Sequence, residues 1–140
     1  RATGSTHTLH LALSPVGRDN APSLRGWARD LGWPLLVGYG GAEAGVAVFL
    51  RTSEEGREHT VGTPLPSIDV RIVDVHDRGH VVGPGTVGKL MIKGPQVFHG
   101  YWNRPDETSS VLSADGWVLT PSLASIDADG YVTLAPSPEH

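Results

Sequence analysis

The residues best placed to do chemistry form a glycine-rich segment, Gly38-Tyr39-Gly40-Gly41-Ala42-Glu43, directly after the apolar run Leu35 to Val37. Loops at the carboxyl ends of strands are where open α/β sheets bind ligands. Glycine has no Cβ, so Gly38 and Gly40 allow the backbone to approach a ligand closely. This segment is therefore the candidate binding loop. The alternative interpretation is a buried Tyr39 and an exposed Glu43 at the end of a loop.

Two acids near the C-terminus, in Asp127-Ala128-Asp129-Gly130, invite comparison with a calcium loop. Placing Asp129-Gly130 at loop positions five and six puts Ser125 at position one and Pro136 at position twelve, where calcium loops need acids. We therefore predict a hairpin turn at these residues.

No other cluster of residues predicts a catalytic or metal site. Among the seven histidines, the close pairs are His7 with His10 and His76 with His80. A pair spaced four apart does not converge in a strand or turn, so we predict no histidine metal site. Ser14 lacks the flanking glycine of a nucleophile elbow, and we assign no catalytic residue.

The elements that must position the glycine-rich segment form a strand, a helix and a strand. Strands are predicted at Leu9 to Leu13, with a loop from Ser14, and at Leu35 to Val37. Between them, an apolar stripe at i, i+3, i+4 and i+7 predicts a helix, with Asn20 as its cap; the stripe is Leu24, Trp27, Ala28 and Leu31. This spacing indicates a βαβ unit with parallel strands.

The second half of the chain predicts a small β-barrel or curled sheet. Strands are expected at Ile68 to Val73 and at Lys89 to Lys93, where Leu90 and Ile92 share one face. Asp115-Gly116 turns the chain into Trp117, and a hairpin has arms at Leu123 to Ile126 and Tyr131 to Leu134. A short helix follows Asn103, its expected cap, and the aromatic residues assigned to the barrel core are Tyr101, Trp102 and Trp117.

Composition excludes several classes of function. The 140 residues carry 11 basic and 15 acidic side chains, for a net charge of −4, and form no basic stripe for nucleic acid or an anionic membrane. Cysteine is absent, which excludes disulfides, thiolate zinc sites and a cysteine nucleophile. No apolar run reaches membrane-spanning length and the first residues lack a secretory signal, so we expect a cytoplasmic protein.

Several motifs in order give the chain a family resemblance. LLVGYGGAE, VGTPLPSIDVRIVD and the stretch from Gly88 to Tyr131 resemble segments of the adenylate-forming ligases, which include acyl- and aryl-CoA synthetases, peptide-synthetase adenylation domains and luciferases. The resemblance covers roughly residues 8 to 134. It implies the end of the family's large N-terminal domain and its chemistry, in which a carboxylate and ATP form an acyl-adenylate that a thiol then attacks.

The implied fold class is α+β and mostly β, a short βαβ unit followed by a distorted antiparallel β-barrel. We divide the chain into a partial α/β subdomain at 1–51, a surface loop at 52–60 and the barrel subdomain at 61–140. The division follows a change of composition near Arg51 to Thr60.

The resemblance also assigns site residues. Tyr39 matches the aromatic residue that stacks on adenine, and Glu43 matches the acid that binds magnesium. Ala42 replaces a threonine whose hydroxyl contacts phosphate, and Ser122 replaces an aspartate that binds both ribose hydroxyls. The candidate cofactor-binding residues are Tyr39, Gly40, Gly41, Ala42, Glu43 and Ser122, with Glu43 as the metal ligand.

Replacements at two neighbouring positions lead to the functional hypotheses. Ser122 holds at most one ribose hydroxyl, and Pro121 stands where the family has glycine. The family's phosphate loop and lysine-bearing C-terminal domain have no counterpart in these residues, so ATP and Mg²⁺ are cofactors only where the family site is retained. We expect a degenerate adenylation domain without ligase activity by itself, which serves as a structural or docking element in a polyketide- or peptide-type assembly line, with a carrier protein or synthase domains as partners. The alternatives are a fragment of an active ligase and a repurposed small-molecule-binding barrel.

Overall fold

The computed structural model describes residues 12–15, 26, 30–32, 35–51 and 56–136. In this part of the chain, eight strands form two four-stranded sheets, with strand orders β1-β2-β3-β4 and β5-β6-β7-β8. The strands are β1 (Ala12–Pro15), β2 (Leu35–Gly41), β3 (Gly45–Arg51), β4 (Thr63–Pro64), β5 (Asp69–Val73), β6 (Gly88–Lys93), β7 (Val118–Ile126) and β8 (Val132–Leu134). A short helix, α1, spans Pro105–Val111. The mostly β fold class predicted from the sequence is confirmed.

The first sheet begins with the parallel pair that the βαβ interpretation requires. Strands β1 and β2 pair in register from Ala12 with Leu35 to Pro15 with Gly38. Gly26 and Asp30 are helical, but Leu31, the last residue of the predicted apolar stripe, lies in a turn and is 45% exposed, so its assignment to the buried face is wrong. The rest of the stripe, Leu24, Trp27 and Ala28, lies outside the described part, as do the first residues of the strand predicted from Leu9. The strand includes Ser14 and Pro15, so the loop predicted there is wrong at these two residues, and its remaining residues lie outside the described part.

The glycine-rich segment forms the end of a strand and a tight turn. The loop predicted from Gly38 is therefore wrong for residues 38–41, which belong to the strand. Strand β2 continues to Gly41, the chain turns through residues 42–44, and β3 returns antiparallel to it. A Cβ on Gly40 would lie 1.8 Å from the carbonyl oxygen of Gly45, so only glycine permits this close return. The hairpin places Glu43 in its turn and Tyr39 beside an irregularity in the strand register.

Strand β6 lies in the centre of the core of the second sheet. Leu90 and Ile92 are buried, as their alternation predicted, and Met91 on the other face is buried as well. Lys89 and Lys93 are half-buried, so both faces of this strand are covered to some extent. The buried apolar residues that pack together here are Ile72, Leu90, Ile92, Val118, Ala124 and Val132.

The two sheets meet through backbone hydrogen bonds just before β4. The N–H of Val61 donates to the carbonyl of Val132 at 2.8 Å, and the N–H of Val132 donates to the carbonyl of Gly62 at 2.9 Å. Strand β4 pairs with β3 in the first sheet, so the chain after residue 60 contributes to both sheets. The division into segments 1–51, 52–60 and 61–140 stays a prediction.

Helix α1 forms where a short helix was predicted, but its expected cap is wrong. Arg104 occupies the N-cap position and makes no side-chain cap hydrogen bond, while Pro105 begins the helix. Asn103 instead takes a left-handed conformation, with φ of 54°, which asparagine tolerates better than most residues. Among the described residues, no helix has the length and hydropathy needed to cross a bilayer.

The aromatic residues assigned to the barrel core have different environments. Trp102 is 90% exposed, so that prediction is wrong: the residue lies in the turn before α1, outside both sheets. Trp117 is half-buried, and the guanidinium of Arg71 lies 4.1 Å from its ring centroid, a cation–π contact. Tyr101 is also half-buried, and its hydroxyl has a polar partner in the β2–β3 turn.

The predicted hairpin turn at residues 127–130 is confirmed and is tied to a distant segment by Arg57. The Asp127 carboxylate accepts hydrogen bonds from the N–H groups of Asp129 and Tyr131, which closes the turn. The Arg57 guanidinium forms ion pairs with Asp127 and Asp129 and lies 4.0 Å from the Tyr131 ring centroid. We call these contacts the Arg57 clamp; they join the segment before β4 to the β7–β8 hairpin.

We predict that the Arg57 clamp makes stability depend on acid pH. The N–H of Tyr131, followed by Arg57, lowers the pKa of Asp127 below its ordinary value. A carboxylate with a lowered folded-state pKa stabilises the fold above its unfolded pKa, and this contribution is lost as the pH falls through the folded pKa. Thermal unfolding across this range should show that Asp127→Asn is less stable than the wild-type chain at neutral pH and approaches it in acid.

Asp77→Asn is the matched control, because Asp77 also accepts a turn N–H, from Gly79, in an exposed loop. Equal stability of the Asp127→Asn variant and the wild type at neutral pH would contradict the role assigned to the clamp.

Candidate functional site

A cavity of about 170 Å³ lies between the β2–β3 hairpin and the first half of β7. The hairpin contributes an aromatic ring, glycine backbone and an acid, and β7 contributes apolar and hydroxyl side chains. The lining residues are Tyr39, Gly40, Gly41, Glu43, Ala44, Val118, Leu119, Thr120, Pro121 and Ser122. Two segments far apart in the sequence therefore form opposite walls of one cavity.

A hydrogen bond joins the two walls. The hydroxyl of Tyr39 donates to Oγ of Ser122 at 2.8 Å, across 83 residues of sequence. Ser122 is held in turn by its N–H, which lies 3.3 Å from Oγ1 of Thr120. Thr120 is buried and donates to the carbonyl of Leu90 at 3.1 Å, so this wall is anchored on β6.

Thr120-Pro121-Ser122 enters the cavity because β7 is irregular at this point. Leu119 pairs with Met91, and Leu123 pairs with Lys89. Between these two pairs the chain advances four residues along β7 but only two along β6. The extra residues form a bulge, which also explains how a strand with neighbours on both sides accommodates Pro121, a residue without a backbone N–H. Bulges of this kind redirect side chains, and here Thr120, Pro121 and Ser122 all line the cavity.

Glu43 is fixed by the segment that follows β6. Its carboxylate oxygen Oε1 accepts a hydrogen bond from the Tyr101 hydroxyl at 2.7 Å. Its carbonyl accepts from the N–H of Phe98 at 2.9 Å, and the Gln96 side-chain amide donates to the carbonyl of Ala44 at 3.0 Å. The hydrogen bond to Glu43 raises the pKa of Tyr101, so the phenol stays a neutral donor. Hydrogen bonds therefore hold the turn both at its backbone carbonyls and at the Glu43 carboxylate.

The side chains of the site fit a magnesium ion that takes only one carboxylate from the described residues. Glu43 supplies one carboxylate, and the described residues contain no cluster of three or more His, Cys, Asp or Glu side chains that could hold a metal ion. Magnesium is commonly held by one or two carboxylates together with water and the phosphate oxygens of a substrate. The site thus fits a magnesium ion that arrives with a phosphate group.

The cavity also fits part of a nucleotide. Tyr39 offers an aromatic surface, and the backbone of Gly40 and Gly41 is exposed beside it. The volume is below the roughly 300–1,000 Å³ of a typical small-molecule pocket, so the described walls accommodate only one portion of such a ligand. The single hydroxyl of Ser122 is already engaged by Tyr39.

The structure brings together five of the six residues predicted to bind a cofactor. Tyr39, Gly40, Gly41, Glu43 and Ser122 line the cavity. Their roles stay predictions. The sixth residue, Ala42, is exposed in the hairpin turn and is not part of the lining.

The hydrogen bond from Tyr101 to Glu43 is a contact that the sequence did not predict. The sequence pattern assigns Tyr101 to the barrel core, yet its hydroxyl is bonded to Glu43 across 58 residues. No local pattern pairs these two residues, because the contact depends on how the hairpin meets the segment after β6.

Comparison with known proteins shows the family to which the chain belongs. Residues 3–102 match the family model described as AMP-binding enzyme. A long-chain-fatty-acid–CoA ligase of Salmonella typhimurium is 38% identical over 109 residues, which are 77% of this chain and 19% of the ligase.

Solved structures give the same result. The apo structure of MatB from Rhodopseudomonas palustris superimposes with a TM-score of 0.79 at 30% identity, over 92% of this chain and 26% of MatB. The O-succinylbenzoate coenzyme A synthetase MenE from Bacillus subtilis, in complex with AMP, gives a TM-score of 0.77 at 27% identity, over 91% and 26% of the two chains.

The chain thus spans about a fifth to a quarter of the length of these relatives. The family model nevertheless matches well over half of its residues; the β2–β3 hairpin falls inside the match, and the β7 wall of the cavity, residues 118–122, lies beyond it. The resemblance read from the sequence is confirmed, and the chain belongs to the family of AMP-binding enzymes.

Proposed function

We propose that the cavity between the β2–β3 hairpin and β7 is part of the nucleotide-binding surface of an acyl-CoA ligase-like domain. We further propose that the chain binds ATP or AMP weakly and carries out no ligation by itself. One observation carries this proposal: Tyr39, Glu43 and Ser122 lie on a single cavity, and Tyr39 is hydrogen-bonded to Ser122. The AMP-binding family match and the AMP-bound MenE neighbour support it.

Each wall contributes a different interaction. The Tyr39 ring supplies a stacking surface for the adenine base, since aromatic rings stack on any base. The exposed backbone of Gly40 and Gly41 gives a phosphate or ribose close access to the strand. Glu43 supplies a carboxylate for Mg²⁺, and the ion, when bound, neutralises phosphate charge.

Ser122 is the reason to propose weak binding. A serine hydroxyl is neutral, so it cannot provide the charge-assisted hydrogen bonds that a carboxylate gives to a diol. Its oxygen already accepts a bond from Tyr39, which a ribose hydroxyl would have to share or replace. Loss of one charge-assisted bond weakens binding by about 1.5–3 kcal/mol, or roughly tenfold to a hundredfold.

The other functions considered from the sequence have unequal support. A cavity of about 170 Å³ is small for a repurposed small-molecule-binding barrel and does not favour it. The share of the relatives that the chain covers supports the alternative that ligase activity resides in a longer polypeptide containing these residues. Both this alternative and our proposal require the same nucleotide contacts at Tyr39 and Glu43.

A second role, docking of a carrier protein, is favoured by Trp102. This side chain is 90% exposed and lies beside α1, a helix with no buried residues. Tryptophan is enriched at the energetic centres of protein interfaces, so an exposed one beside a polar helix suits a protein partner.

We expect Ser122→Asp to strengthen ATP binding by roughly tenfold to a hundredfold, because a carboxylate restores a charged acceptor on the β7 wall. Isothermal titration calorimetry with ATP and with AMP measures the change. Ser125→Asp is the matched control: it places the same charge on the same strand outside the cavity lining. Undetectable binding by both the wild-type chain and Ser122→Asp would show that the nucleotide site is absent.

We also expect the 140-residue chain to show no ATP–pyrophosphate exchange with any carboxylic acid, because Ala42 lacks a hydroxyl to contact phosphate and Ser122 lacks a charge to hold the ribose. The measurement is isotope exchange across a panel of fatty, aromatic and dicarboxylic acids. A clear exchange signal from this chain would refute the proposed lack of ligation.

For the docking role, Trp102→Ala should weaken binding of a phosphopantetheinylated acyl-carrier protein by roughly tenfold or more, as loss of an interface tryptophan typically does. Val81→Ala, at a residue that is 53% exposed on a different loop, is the control. Equal carrier-protein affinity of the wild type and Trp102→Ala, measured by surface plasmon resonance, would remove Trp102 from this role.

A further inference from the structure

Glu43 is the single acid among the cavity-lining residues, and its carboxylate has a defined partner. Oε1 accepts a hydrogen bond from the Tyr101 hydroxyl at 2.7 Å. Oε2 lies beside Gly41, close enough that a Cβ on this glycine would be 3.6 Å away. One oxygen is therefore held by Tyr101, and the other lies next to the open backbone of the cavity wall.

Tyr101 is itself fixed from outside the cavity. Its N–H donates to Oγ1 of Thr108 in α1 at 2.9 Å, and Thr108 Oγ1 donates to the carbonyl of Arg104 at 2.8 Å. The Phe98 ring meets the Tyr101 ring edge-on, with centroids 5.0 Å apart. The Tyr101 phenol is thus anchored to a helix and an aromatic neighbour. Because these contacts hold it independently of Glu43, its hydrogen bond restricts the Glu43 side chain.

The backbone at Gly100 allows this anchoring. Gly100 has φ of 136°, a conformation that other residues rarely adopt. A Cβ there would lie 2.9 Å from Cγ2 of Thr108, so the chain passes close to α1 before it reaches Tyr101. The helix therefore sets the position of the phenol that holds Glu43.

We propose that Tyr101 is a positioning residue that fixes the carboxylate of Glu43 for a divalent cation accompanying a bound nucleotide. Tyr101 does not line the cavity; it acts through Glu43. A flexible glutamate loses rotamer freedom when it binds a metal, and a hydrogen bond that has already restricted it reduces this cost. The hydroxyl is neutral, so it orients the carboxylate without neutralising the charge that a cation requires. The inference rests on the nucleotide site proposed above.

The test compares ATP binding by calorimetry with and without Mg²⁺ in the 140-residue chain and in Tyr101→Phe. Removal of the hydroxyl should leave metal-free ATP affinity unchanged and reduce the Mg²⁺-dependent gain in affinity about tenfold, as loss of a residue that orients a metal ligand typically does. Glu43→Gln is the reference for loss of the ligand. Tyr131→Phe, which removes a phenol hydroxyl on the β7–β8 hairpin, is the matched control and should behave as the wild type.

A second readout requires no bound ligand. The ¹³C resonance of the Glu43 carboxyl group should shift in Tyr101→Phe and stay unchanged in Tyr131→Phe, because only the first variant loses the hydrogen bond to Glu43. If Tyr101→Phe does not fold, Thr108→Val, which removes the acceptor of the Tyr101 N–H, should lower the Mg²⁺-dependent gain by a smaller factor.

The outcomes separate this inference from the proposed function. An unchanged Mg²⁺-dependent gain and an unchanged Glu43 carboxyl resonance in Tyr101→Phe would overturn the positioning role and leave the nucleotide site intact. A parallel loss of metal-free and metal-dependent affinity would also overturn it, because that result indicates a general structural role. Absence of ATP binding by the wild-type chain would overturn the proposed function and this inference with it.

Discussion

The attachment of the β2–β3 turn to the segment after β6 is the constraint on which the candidate site depends. Three hydrogen bonds make it: from the Gln96 amide to Ala44, from the Phe98 N–H to the Glu43 carbonyl, and from the Tyr101 hydroxyl to the Glu43 carboxylate. Tight turns expose backbone polar groups, which must find partners when they are buried. Because a second segment supplies these hydrogen bonds, it fixes the position of the Glu43 carboxylate relative to β7.

The opposite wall depends on an irregularity in a regular strand. Strand β7 keeps its apolar side chains in the core at Val118 and Ala124, while the extra residues between its two paired regions bulge toward the hairpin. The bulge brings hydroxyl side chains beside apolar ones to the cavity wall without breaking the sheet, and Thr120 bonds it to β6.

The chemistry of this site is set by two kinds of residue. An aromatic ring at Tyr39 and an acid at Glu43 are present and meet at the cavity. At the two positions where the sequence resemblance implies contacts to phosphate and ribose, Ala42 has no hydroxyl and Ser122 has no charge. The Tyr39–Ser122 hydrogen bond occupies one acceptor position of the serine oxygen and joins the two walls of the cavity.

The sequence by itself determined the class of fold, the parallel pairing of the first two strands, the buried face of β6 and the 127–130 turn, because periodicity and turn chemistry are local properties. Family motifs in the sequence also singled out Tyr39, Glu43 and Ser122, which line one cavity and whose roles stay predictions. Only the tertiary structure decided that β2 extends to Gly41, that Trp102 is exposed and that Tyr101 holds Glu43. These features depend on which distant segments meet, and neither hydrophobic alternation nor residue spacing encodes a contact across 58 residues.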